Sequence, residues 1–189
     1  MPDGSDRDQV LAAADRLFNE RGIQAVGMDA IRDAAGIPLK RLYLHFPSKA
    51  ALVSAVLEQR DREVSQGMAA FVESRARDPH DRILAVFDYL AEWFDQPDFR
   101  GCMFINSVGE LGGTSEDVQR IARLNKLALR DYLARLAEAC GHGGEVADQL
   151  AILANGAIVA AAIYGGGSAA AASARAAATA VLEAPRRAD

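Results

Sequence analysis

The 189-residue chain has little of what catalytic or covalently stapled proteins are built from. Its two cysteines, Cys102 and Cys140, are too few for a disulfide framework or a zinc site. Its three histidines, at 45, 80 and 142, follow no metal-ligand spacing, and no Glu-x-x-His pair supports a di-iron centre. The glycine-rich strings GELGGTSED and YGGGSA follow no strand pattern and lack a phosphate-loop lysine. No nucleophile motif is present. These absences argue against an enzyme, so no catalytic residue, metal or cofactor is expected. Aromatic residues make up only 6% and β-branched residues are sparse, which disfavours a sheet. The longest apolar stretch, Ala151 to Tyr164, carries Asn155 and Gly156 and falls short of the roughly 20 residues of a membrane span. No basic-then-apolar leader opens the chain, so a cytoplasmic location is expected.

What remains is helix-forming material. Half of the residues are hydrophobic, a quarter are charged, and 38 are alanine. Alanine, leucine, arginine and glutamate favour helices, which predicts an all-α fold. The net charge of −5 is unevenly placed. Residues 1–49 balance seven acids with seven bases, and no acid occurs between Ala34 and Leu57. An acidic chain of this kind can still present one local anion-binding face.

Hydrophobic spacing divides the chain. The residues up to Asp8 read as polar and frayed. Val10, Leu11, Ala14, Leu17 and Phe18 then mark one helix stripe, ended by Gly22. A short helix is predicted over Met28–Ala35 and is broken by Gly36. A third runs from Pro38 to about Phe46, with proline in its first turn, and is stopped by Pro47. Ser48 is placed to cap a long fourth helix. Three short helices with a glycine turn followed by a long helix suggest a helix-turn-helix module, residues 1–50, joined to a helical domain, residues 51–189. In that second part, helices are predicted from Pro79 to Phe94, from Cys102 to Leu111, from a cap at Thr114 or Ser115 to Leu136, from Glu145 to Tyr164 and from Ser168 to Leu182. The Glu145–Tyr164 helix reads as buried on nearly all sides past Leu150.

The informative string is AAGIPLKRLYLHFPSK, Ala34 to Lys49. In the third helix Leu39, Leu42 and Phe46 form an inner side, and the rest faces outward. A short helix of this kind fits a major groove about 12 Å wide. Arg41 suits bidentate readout of guanine, and Lys40 suits a base edge or phosphate. Tyr43 offers a hydroxyl to phosphate, and Leu44 can touch thymine methyls. Lys49 opens the fourth helix, where free backbone amides already attract phosphate. Lys40 and Arg41 alone would be an ordinary solvated face, and His45 alone a packing residue. Their place in one string gives them meaning. The expected DNA-contact set is Pro38, Leu39, Lys40, Arg41, Tyr43, Leu44, His45 and Lys49.

The stretch from Val10 to Leu52 resembles the DNA-binding segment of the TetR family of transcriptional regulators. The match is carried by Ala14, Phe18, Gly22, Ile31, Ala35-Gly36, Leu42-Tyr43, His45-Phe46, Lys49 and Leu52. The resemblance implies that Tyr43, His45 and Lys49 grip the DNA backbone. It also implies a homodimer on a pseudo-palindromic operator, most often a repressor, released by a small-molecule effector. The sequence departs from the pattern at Val26, where threonine is common, so Gly27 must cap the second helix. Arg32 stands where alanine is usual, Lys40 where glycine is common, and Arg41 where a small hydroxyl residue is common.

By the same resemblance the second domain binds the effector and dimerises through its last two helices, residues 145–182. Their alanines allow close approach but bury little area each, so they need a partner. The available pocket-lining types are Phe87, Trp93, Phe94, Met103, Phe104, Asn106, Ser107 and Glu110: apolar walls with a few polar groups. A helical enzyme and an adaptor that has lost DNA binding are the competing readings. The intact basic helix speaks against the adaptor.

Overall fold

The structure, a computed structural model, describes residues 4–184, with side chains from Asp6 onward. Nine helices make up the described chain in the order α1 (Gly4–Arg21), α2 (Met28–Ala35), α3 (Leu39–His45), α4 (Lys49–Arg75), α5 (Pro79–Phe94), α6 (Met103–Leu111), α7 (Glu116–Ala139), α8 (Gly144–Tyr164) and α9 (Gly167–Glu183). The expected all-α class holds, and no strand occurs among the described residues.

The chain separates into two compact units. The first holds the residues up to Arg62 together with Met103–Leu124, and the second holds Glu63–Cys102 and the residues from Asn125 on. Helices α4 and α7 are therefore shared between the units. This division follows packing, whereas the expected boundary at residue 50 separates a reading head from a helical domain by role.

In the first unit, α1 packs on α2 and α3. Val10, Leu11, Ala14, Leu17 and Phe18 are buried as their spacing predicts, and Ile31, Leu42 and Phe46 complete the inner face of the three short helices. Burying each of these side chains larger than alanine stabilises by about 1.5–3 kcal/mol. Gly36 adopts the left-handed conformation (φ 67°) and closes α2 by donating its N–H to the carbonyls of Arg32 and Asp33. Gly27 caps α2 without a side-chain bond, as the loss of threonine at position 26 implies. Ser48 accepts from the Ala51 N–H at 3.1 Å, confirming its capping role. Of the two candidate caps for α7, Ser115 accepts from the Val118 N–H at 3.3 Å, while Thr114 donates back to the Leu111 carbonyl at 3.2 Å.

Three expectations need correction. The segment before Asp8 is not frayed where it is described, because α1 starts at Gly4 and Asp6 is buried. Pro38 is the cap of α3 and stands just before its first turn. Helix α8 is not buried all round. Ala147, Leu150, Ala151, Ala154, Ala157, Ile158 and Ala161 are buried, but Ile152, Val159, Ile163 and Tyr164 are exposed. In this second unit α9 packs against both α5 and α8. A Cβ at Gly167 would collide with the Phe94 Cβ, so the start of α9 sits directly against α5. Gly167→Ala is expected to cost about 1–3 kcal/mol, as overpacking does, read as a lowered urea midpoint; an unchanged midpoint would mean that the contact is loose.

Candidate nucleic-acid interface

Helix α3 is seven residues long and is held between Pro38 and Phe46. Leu42 is its fully buried anchor. Around that anchor Pro38, Lys40, Arg41, Tyr43 and Leu44 are exposed, while Leu39, His45 and Lys49 are half-buried. Leu44 is 65% exposed and Tyr43 45%, so both stand open to a partner. Lys40 has no ion pair among the described residues. Arg32, another unusual cation of this region, turns to Asp33 at 2.6 Å and Asp29 at 3.4 Å. The Asp33 carboxylate, first by hydrogen bonding and then by charge, raises its pKa. Its charge is thus locally matched, whereas that of Lys40 is not.

His45 and Lys49 are less open than the sequence suggests. His45 Nε2 is buried and has no hydrogen-bond partner among the described residues. Its ring leans on Phe46, with centroids 6.4 Å apart, and the Arg7 guanidinium lies over the Phe46 ring at 5.6 Å. Lys49 Nζ donates to the Gln24 carbonyl at 3.4 Å. Burial lowers its pKa, and the charge of Glu110 partly offsets this.

Glu110 was expected among pocket-lining residues. The structure places its carboxylate against the turn between α1 and α2. It accepts the Ile23 N–H at 3.1 Å and the Gln24 N–H at 2.8 Å, and the Gln24 side-chain amide donates to the Glu110 carbonyl. Gly22 makes room for this at φ 80°, because a Cβ there would stand 3.1 Å from both carboxylate oxygens. Gly22→Ala would meet left-handed strain and the carboxylate together. It is expected to destabilise the protein by about 1–2 kcal/mol, seen as an earlier thermal transition; no shift would mean that the turn relaxes freely.

The other pocket candidates are divided between the two units. Phe87, Trp93 and Phe94 belong to the second unit, and Met103, Phe104, Asn106, Ser107 and Glu110 to the first. Phe87 is fully buried and Asn106 is exposed. Ser107, also fully buried, returns its hydroxyl to the Met103 carbonyl at 2.6 Å. Trp93 and Phe94 meet Phe99, a ring the sequence reading passed over, with centroids 5.2 and 5.0 Å from it. Asp6 was missed as well. It forms an ion pair with Arg41.

The family profile described as "Bacterial regulatory proteins, tetR family" matches residues 10–56, which span α1, α2, α3 and the start of α4. Over nearly the whole chain the fold is that of a TetR-family transcriptional regulator from Streptomyces coelicolor, SCO4454. The TM-score is 0.84 at 28% identity, covering 96% of this chain and 90% of that one. The chain belongs to the TetR family. Among its TetR-family relatives, the transcriptional repressor NemR of Escherichia coli is 29% identical over 140 residues, 74% of this chain and 69% of NemR. The transcriptional activator FasR of Mycolicibacterium smegmatis is 38% identical over 94 residues, 48% of this chain and 42% of FasR. This chain is thus a helix-turn-helix, DNA-binding transcriptional regulator.

Proposed function

We propose that this regulator acts as a homodimer on a pseudo-palindromic operator, as a repressor that a small-molecule effector releases. Residues 1–50 are the reading head, and residues 51–189 bind the effector and dimerise. The observation that carries the reading is the outward face of α3, where Lys40, Arg41, Tyr43 and Leu44 stand exposed around a buried Leu42. A short, rigid helix with donors and one apolar tip suits base edges in a major groove. Pro38, Leu39, His45 and Lys49 flank it and serve backbone contacts, which position without specifying sequence. The buried Nε2 of the half-buried His45 favours a supporting part for that residue.

Dimerisation is supported by α8 and α9. Ile152, Gly156, Ala160, Tyr164, Ala169 and Ala170 help line an open apolar trough of about 590 Å³ along the two helices. Ile152 and Ile163 are each 71% exposed and Tyr164 is 84% exposed. Contiguous apolar surface of this kind marks an interface. A second copy presenting the same small-residue face would cover it, with self-complementarity about a two-fold axis. Phe87, Trp93, Phe94, Met103, Phe104, Asn106, Ser107 and Glu110 are proposed to contribute to effector response. For Glu110 this is through its hold on the α1–α2 turn. An effector that favours one arrangement of α4 would shift the population of dimers able to span the operator. The protein works in the cytoplasm, with its DNA, and as a binding protein without catalysis.

The test is fluorescence anisotropy with a labelled duplex enriched by the protein from a randomised library, beside a shuffled duplex of equal composition. Tight binding to the first and weak, steeply salt-dependent binding to the second is expected. Equal binding to both would overturn the reading.

A further inference from the structure

We infer that Asp6, in the first turn of α1, is a positioning residue that aims Arg41 at the bases and so sets part of the operator preference. The inference rests on the reading of α3 as the DNA-reading helix.

Asp6 is 7% exposed, yet it is a carboxylate on the side of the molecule proposed to meet a polyanion. Between Ala34 and Leu57 the chain carries no acid at all, so the negative charge beside α3 comes from another element. Its Oδ2 atom is out of reach of water and has no hydrogen bond of ordinary geometry among the described residues. What compensates it is the Arg41 guanidinium, whose Nη2 approaches that oxygen closely in an ion pair. The Arg41 side chain is 47% exposed, so it is half engaged inside and half presented outside.

Swinging the half-exposed guanidinium away would leave the buried Asp6 carboxylate without its partner, which is unfavourable. Arg41 is therefore not free to swing to whichever phosphate is nearest. A guanidinium has five N–H donors in a fixed fork, so engaging Nη2 inward leaves further donors for an acceptor pair such as guanine O6 and N7. Fixing the fork before DNA arrives lowers the ordering cost on binding. Pairing also offsets the charge of Arg41, which lessens its part in the unspecific attraction to phosphates and leaves that part to Lys40 and Lys49. The two cations side by side on α3 thus divide the work: Lys40 unpaired, Arg41 held.

The experiment uses the full chain as wild type, Asp6→Asn, Arg41→Ala and the double variant. Each selects from a randomised duplex library read by sequencing, and each is titrated against one fixed mixed-sequence duplex over a range of salt. Asp6→Asn is expected to flatten base preference at the same positions as Arg41→Ala, with about tenfold loss of discrimination there. It is also expected to steepen the salt dependence by about one released counterion, because Arg41 becomes free for phosphate. The double variant should match Arg41→Ala. If Arg41→Ala flattens those positions while Asp6→Asn leaves them sharp, Asp6 is merely structural and the inference fails, with the reading of Arg41 intact. If Arg41→Ala changes no position, the reading of Arg41 itself fails. Should Asp6→Asn not fold, the wild type still decides by nitrogen NMR of the arginine Nε–H groups. A fixed, slowly exchanging Arg41 group supports the inference, and a freely rotating one overturns it.

Discussion

Ile152→Asp combined with Ile163→Asp is expected to leave a folded, helical monomer that has lost at least about a hundredfold in affinity for the selected duplex. Both side chains are 71% exposed, so neither holds the protomer together. In a dimer they would lie in a dry, apolar interface, where two facing carboxylates have no compensation. Losing the second reading head converts one bivalent event into two weak ones, and linked binding commonly supplies a hundredfold or more. Sedimentation velocity gives the mass, and anisotropy gives the affinity. A variant that sediments as a dimer would place the interface elsewhere than on α8.

The second large effect belongs to α3. Lys40→Ala with Arg41→Ala is expected to lower affinity for the selected duplex by roughly a hundredfold and to bring it close to that for shuffled DNA. Lys49→Ala should act differently. Its ammonium lies at the start of α4 beside the Gln24 carbonyl. Loss of one phosphate contact should weaken all duplexes alike and reduce the salt slope by about one. If the double variant kept its preference for the selected duplex, base readout by these two side chains would be wrong. If Lys49→Ala changed the preferred sequence, its assignment to the backbone would be wrong.

The sequence made the short helices legible because their ends are marked by residues with one conformational habit. Gly36 takes the left-handed form that closes α2, and Pro38 and Pro47 bracket α3. The spacing of Val10, Leu11, Ala14, Leu17 and Phe18 revealed the inner stripe of α1, and all five are buried. What stayed hidden depends on partners far along the chain. Asp6 reads as part of a polar leader until α3 folds beside it and supplies Arg41. Glu110 reads as an odd polar residue in an apolar helix, a reasonable pocket candidate, until its carboxylate is seen capping the amides of Ile23 and Gln24. Asp78 caps α5 through the His80 N–H at 2.9 Å, a cap that the more obvious Pro79 masked. Helix α8 misled for another reason. Composition alone cannot tell a helix covered by its own chain from one whose outer face awaits a second copy.

Two α3 helices of one dimer are expected to enter successive major grooves of a single duplex. Hydroxyl-radical footprinting on the selected duplex, with the complex mass measured in parallel, tests it most directly. Two symmetric protected segments are expected, with centres about one helical turn, 34–36 Å, apart and two protein chains per duplex. A single protected segment with one chain bound, or protection with no symmetry, would contradict this arrangement.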